Sequence, residues 1–208
     1  MKSSSEWQTA RCKEHRAVRL LRPEFGKNSC GDDMKDALKI AAITIVGLFI
    51  AVIVYPFVHE VGHSLAAVIV GAKVEEFNLY PLPNVLCSVQ SVGTKGLVVI
   101  GMSGMLLPFL LTAIIQPQKF WSWYICFTMR GICLLSFAIS LCSIIVFQTE
   151  LKMVNEDITQ VMQFAPNRSG LYVSILLGLV AWDTLLLLKS HPVQHCMEFF
   201  ELKKTESE

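Results

Sequence analysis

Four stretches of the chain are free, or nearly free, of charged side chains, and each is long enough to form a membrane helix. From Ile40 to Val58 no charge occurs, a run that at about 1.5 Å per residue crosses about 30 Å of hydrocarbon. The apolar pattern continues to Val70, where Gly71 supplies a helix stop. It therefore predicts either one helix of roughly fifty ångströms or a helix kinked at Pro56. Gly96 to Gln118, Phe120 to Phe147 and Gly170 to Leu188 complete the set, interrupted only by Arg130 and Asp183. Between the first two, Lys73 to Val92 sets Val74, Phe77, Leu79, Val85 and Val89 among Pro81, Pro83 and Asn84, the texture of a small hairpin or loop. Between the last two lies the polar stretch Gln148 to Arg168, in which Asn155 is placed to cap a helix from about Glu156 to Phe164. The pattern predicts an all-α integral membrane protein with about four transmembrane helices and a small β-hairpin or loop after the first.

Residues 1–36 are polar and mixed in charge, with Pro23, Gly26 and Gly31 breaking any long helix. They read as a mostly flexible leader with one short helix around Glu14 to Leu21. A membrane-embedded domain over 37–190 and a polar C-terminal tail over 191–208 complete the expected organisation. No small-residue cleavage pattern precedes the first apolar run, so the first helix is expected to serve as the targeting signal. Trp121, Trp123 and Tyr124 read as an interfacial belt, with Arg130 close enough to snorkel to the same interface.

Composition agrees with this pattern: 53% of the 208 residues are hydrophobic and 17% charged, against about 25% charged in soluble domains. The net charge of +1 and the lack of a basic tract interleaved with aromatics exclude a nucleic-acid groove. Seven scattered cysteines with no Cys-x-x-Cys pair argue against a disulfide framework and against a cysteine zinc module.

The chemistry lies in His59-Glu60-Val61-Gly62-His63, inside the first apolar segment. Residues four apart share a helix face, so His59 and His63 can present two imidazoles to one zinc ion while Glu60 projects beside them. Catalytic zinc takes three protein ligands and leaves a position for water. The missing ligand must come from another element. His15, His191 and His195 lie in the leader or near the C-terminus, which leaves Glu150, Glu156, Asp157 and Asp183. Asp157 is preferred because a capped helix would fix it. Asp183, an ionisable residue within a membrane helix, is the runner-up. Glu60, adjacent to His59, is read as the catalytic base that takes a proton from the zinc-bound water and passes it to the leaving amine.

These residues resemble the site-2 protease class of intramembrane zinc metallopeptidases. The similarity is continuous from the zinc motif into Gly71-Ala72-Lys73-Val74-Glu75-Glu76-Phe77, which is similar to a Gly-x-x-Val-x-x-Phe stretch of that class. Gly101 to Pro108, with Gly101, Ser103 and Gly104, resembles the small-residue helix that packs on the zinc helix. Asn155-Glu156-Asp157 looks like the segment that supplies the aspartate ligand in compact members and departs from the Leu-Asp-Gly form of the best-known ones. The resemblance covers Ile40 to about Leu188 and implies cleavage of a peptide bond within or next to the membrane.

The expected function is a zinc endopeptidase acting on a transmembrane protein or peptide substrate in contact with membrane lipid, in the cell membrane, with Lys73 to Val92 offering an edge for an unwound substrate. The alternative is a zinc-binding transporter or sensor without protease activity, which should show more intramembrane polar residues. Of 18 Lys and Arg, nine fall in Met1 to Lys39, and Lys189, Lys203 and Lys204 lie at the other end. The positive-inside tendency thus puts both ends in the cytosol and the zinc motif towards the opposite face. The resemblance implies the cytosolic face instead.

Overall fold

The computed structural model describes residues 30–79, 83–88, 90, 92–117, 119–148 and 157–200. The expected helix around Glu14 to Leu21, the Asn155 cap, Glu150, Glu156 and the last eight residues lie outside them. Internal contacts divide the chain into two units, 1–43 and 44–208. The described part of the first is helical and belongs to α1 (Cys30–Phe49). Gly31, expected to break a helix, lies in its first turn.

In the second unit, α1 passes through a π-helical turn (Ile50–Val54) into α2 (Tyr55–Ile69). The cause is Pro56, which has no N–H for the carbonyl one turn back and whose ring crowds it. Widening the turn relieves both, and the Tyr55 N–H donates to the Ile50 carbonyl five residues earlier. The helix is therefore continuous, and the proline is absorbed by a π turn. Gly71 ends it in the left-handed region at φ 81°, and the Ala72 N–H returns to the Ala67 carbonyl at 2.8 Å.

An antiparallel hairpin follows, β1 (Lys73–Asn78) with β2 (Asn84–Ser88), with Phe77 opposite Val85 and a bulge between Val74 and Glu76. Next come α3 (Thr94–Ile114), α4 (Phe120–Gln148), the short α5 (Asp157–Phe164), α6 (Ser169–Lys189) and α7 (Pro192–Phe199). Met105 and Phe109 of α3, Phe137 and Ile144 of α4, and Ile158 and Val161 of α5 form the centre of the core. Ile69, Ile114 and Leu135 point outward and are exposed, as suits a surface solvated by lipid. Four helical segments, Met34–Ile69, Thr94–Ile114, Phe120–Phe147 and Pro166–Phe199, are long and apolar enough to cross a membrane. The chain has the build of a multi-pass membrane protein.

Two residues read as interfacial do something else. Arg130 is buried, and its guanidinium donates to the carbonyls of Thr112 and Leu186. Both carbonyls lie in the last turn of a helix, where no intrahelical donor remains and the dipole is negative. The arginine thus ties the C-terminal ends of α3 and α6 together instead of snorkelling. Trp123 is buried too: its indole N–H donates to the Ser190 carbonyl at 2.9 Å and its ring stacks on His195 at 4.8 Å. With Phe120 stacked on Phe199 at 3.9 Å, it docks α7, a helix formed in the segment read as a polar tail.

Candidate metal centre

The His59-Glu60-Val61-Gly62-His63 motif lies in the middle of α2, and α3 crosses it closely. A Cβ on Gly62 would lie 2.5 Å from the Ser103 carbonyl oxygen and 3.1 Å from the Gly104 Cα, so only glycine permits this approach. From the far side α5 is admitted by Gly101, whose Cβ would strike the Val161 side chain. Asp157, the first residue of α5, thereby arrives beside the histidines.

His59 Nε2 lies 2.8 Å and His63 Nε2 3.3 Å from the same oxygen, Asp157 Oδ2, and the two nitrogens are 3.1 Å apart. Three ligand-type atoms thus form a triangle. Around a tetrahedral zinc with bonds of about 2.0–2.1 Å, ligand atoms are about 3.3 Å apart, so the triangle is close to one face of such a site. A glycine completes it: a Cβ on Gly104 would come within 2.7 Å of His59 Nε2 and closer still to His63 Nε2.

His63 Nδ1 is 2.7 Å from the Ile100 carbonyl. Because a carbonyl only accepts, this nitrogen carries a proton, and a metal at the triangle would take the Nε2 lone pair of the neutral ring. The Ser103 hydroxyl donates to the same carbonyl at 2.6 Å. His59 is less constrained; its Nδ1 is buried without a hydrogen-bond partner among the described residues, and its ring lies 6.0 Å from that of Tyr55. Burial alone would raise the Asp157 carboxyl, but hydrogen bonds from His59 and His63, with their charge, hold it well below the usual carboxylate range.

Glu60 places a carboxylate oxygen within 4.8 Å of both histidine nitrogens. The shorter distances belong to Asp157, which makes the aspartate the ligand-type partner and leaves Glu60 at the range of a group acting through a water. The Val85 backbone N–H of β2 hydrogen-bonds the Glu60 carboxylate. Two cavities reach this point. One, of about 530 Å³, runs between β2, α3 and α5 past Glu60, His63 and Asp157. The other, of about 330 Å³, lies towards α4 and is bordered by Tyr55, His59 and Ser136.

The structure brings together His59, Glu60, His63 and Asp157, the four residues singled out in the sequence. Asp183 lines neither cavity; it is buried on α6 in the electrostatic neighbourhood of Arg130 and Cys133. The Ile100 carbonyl and the Val85 amide were invisible to sequence reading, since any residue type supplies a backbone group. The role of Gly104 had a signal in Gly-x-Ser-Gly, which read only as a packing motif. Gly104→Ala should fold with the helices shifted apart and bind zinc at least about tenfold more weakly than wild type, the scale of a disturbed ligand shell. Competition titration against a zinc chelator measures this, and wild-type affinity would show that the space is not needed. Comparison with protein-family models, with curated proteins and with solved structures finds no match to the chain.

Proposed function

We propose that this chain is an intramembrane zinc endopeptidase of the site-2 protease kind, a multi-pass protein of the cell membrane that cuts peptide bonds in or next to transmembrane segments of another protein. The observation that carries the reading is the convergence of His59 Nε2, His63 Nε2 and Asp157 Oδ2, at 2.8 to 3.3 Å from one another, beside a carboxylate and an open cavity. Two imidazoles and one carboxylate are a donor set that suits zinc. His59, His63 and Asp157 would hold the ion, which when bound supplies Lewis acidity to a water and to the scissile carbonyl.

The rest is done by the chain. Glu60 accepts the proton of the attacking water and delivers it to the departing nitrogen, so that the amine leaves neutral. The Val85 N–H keeps the carboxylate turned to the cavity, and the Ile100 carbonyl keeps the His63 tautomer fixed. A transmembrane helix must unwind before a base reaches its peptide bonds, because its amides are internally paired. The edge of β2 beside the cavity provides replacement partners. By strand alternation the Cys87 N–H faces the same way as that of Val85. Cys87→Pro should therefore slow cleavage of a membrane-embedded peptide about tenfold, the cost of roughly one hydrogen bond, while zinc content stays at the wild-type level. Unchanged turnover would remove β2 from the substrate path.

Metal analysis of purified protein, paired with a cleavage assay on a reconstituted transmembrane peptide, tests the whole reading. One zinc per chain, lost in His63→Ala, together with peptide cleavage is the expected result. The buried Asp183 favours the other reading, a zinc transporter or sensor, since an intramembrane carboxylate without a hydrogen-bond partner among the described residues suits an ion path. Zinc binding without any cleavage would turn the assignment that way.

A further inference from the structure

A trough on the lipid-facing side of α3 takes no part in this chemistry. Two cavities of about 400 and 420 Å³ share Val98, Met102 and Ile175 in their walls and so form one channel open to the surface along α3. Its inner part is bordered by Leu65, Leu106 and Leu110 and contains no charged side chain. Its outer part ends at Lys95, in the first turn of α3, and Arg168, immediately before α6. Both cations are exposed, and neither is in an ion pair among the described residues.

An apolar trough with paired cations at one end complements one kind of molecule, an anionic head on an apolar chain. From Lys95 to Leu110 the helix rises about 22 Å, more than the depth of one leaflet of about 15 Å, so a single acyl chain fits lengthwise. A peptide helix about 10 Å across is too thick for cavities of this size, and a free phosphate would leave the apolar walls unexplained. We propose that the trough binds an anionic glycerophospholipid, with the phosphate between Lys95 and Arg168 and one acyl chain lying along α3 towards Leu110. The site is independent of the zinc reading.

Native mass spectrometry of the full chain, in micelles with equal phosphatidylglycerol and phosphatidylcholine of the same acyl chains, tests the proposal. Wild type should retain phosphatidylglycerol about thirtyfold better, the combined worth of two cations near a membrane surface. Lys95→Gln with Arg168→Gln should abolish the preference. Lys119→Gln with Lys189→Gln, which removes as much charge elsewhere, should leave it within about twofold. Ile175→Trp, with both cations kept, should weaken retention about fourfold for each methylene excluded from the trough. Equal retention of the two lipids by wild type, or equal loss in the two double variants, would overturn the proposal, the second by assigning the preference to overall charge.

Discussion

Glu60→Gln is expected to load zinc as wild type does and to cleave a membrane-embedded peptide more slowly by a factor of about a hundred or more, the usual worth of a general base. The substitution keeps the shape of the side chain and the three closest donors, His59, His63 and Asp157, so the metal site is unaltered while the proton acceptor is lost. Glutamine can still take the Val85 N–H through its amide oxygen, so the turn of the side chain towards the cavity should survive. Zinc content and turnover measured on one preparation separate the two effects. A zinc-loaded Glu60→Gln protein cutting at the wild-type rate would refute the role of Glu60 and shift the reading to a transporter or sensor.

Asp157→Ala should lower zinc affinity by more than about a hundredfold, beyond the 10–100-fold typical of losing an outer hydrogen-bond partner. Asp157 Oδ2 is within 3.3 Å of both histidine nitrogens, so its removal opens the triangle and leaves two imidazoles facing water. Asp183→Asn, made beside it, should bind zinc normally, because that carboxylate lies near Arg130 rather than at the cluster. The opposite pattern, zinc kept without Asp157 and lost without Asp183, would show that the third ligand is wrongly assigned.

The membrane helices and the four clustered side chains were readable because each rests on a local rule: an uncharged run of sufficient length, or two histidines one helical turn apart. The Asn155 cap that favoured Asp157 lies outside the described residues; the tertiary structure brings Asp157 in because α5 packs against Gly101, where a Cβ would strike Val161. Readings that failed were those in which a side chain had two possible destinations. Arg130 and Trp123 sit where a membrane helix meets its interface, and outward and inward orientations look alike in sequence. Burial won for Arg130 because carbonyls at the ends of α3 and α6 lacked donors, and for Trp123 because α7 packs back on the start of α4. Pro56 was placed correctly as an irregularity, but nothing in the residue types distinguishes a kink from a π turn.

The spacing of the ligand atoms along the chain has a consequence during synthesis. His59 and His63 emerge together, while Asp157 follows His63 by 94 residues, an interval of about 5–20 s at usual elongation rates. Throughout that time the nascent chain carries Glu60 and two of the three atoms of the triangle but lacks the carboxylate that closes it. Two helices and the hairpin must be inserted and arranged before α5 can dock against Gly101. Maturation of the cluster is thereby coupled to completion of the fold, and a chain stalled or truncated before α5 would lack the third side of the triangle.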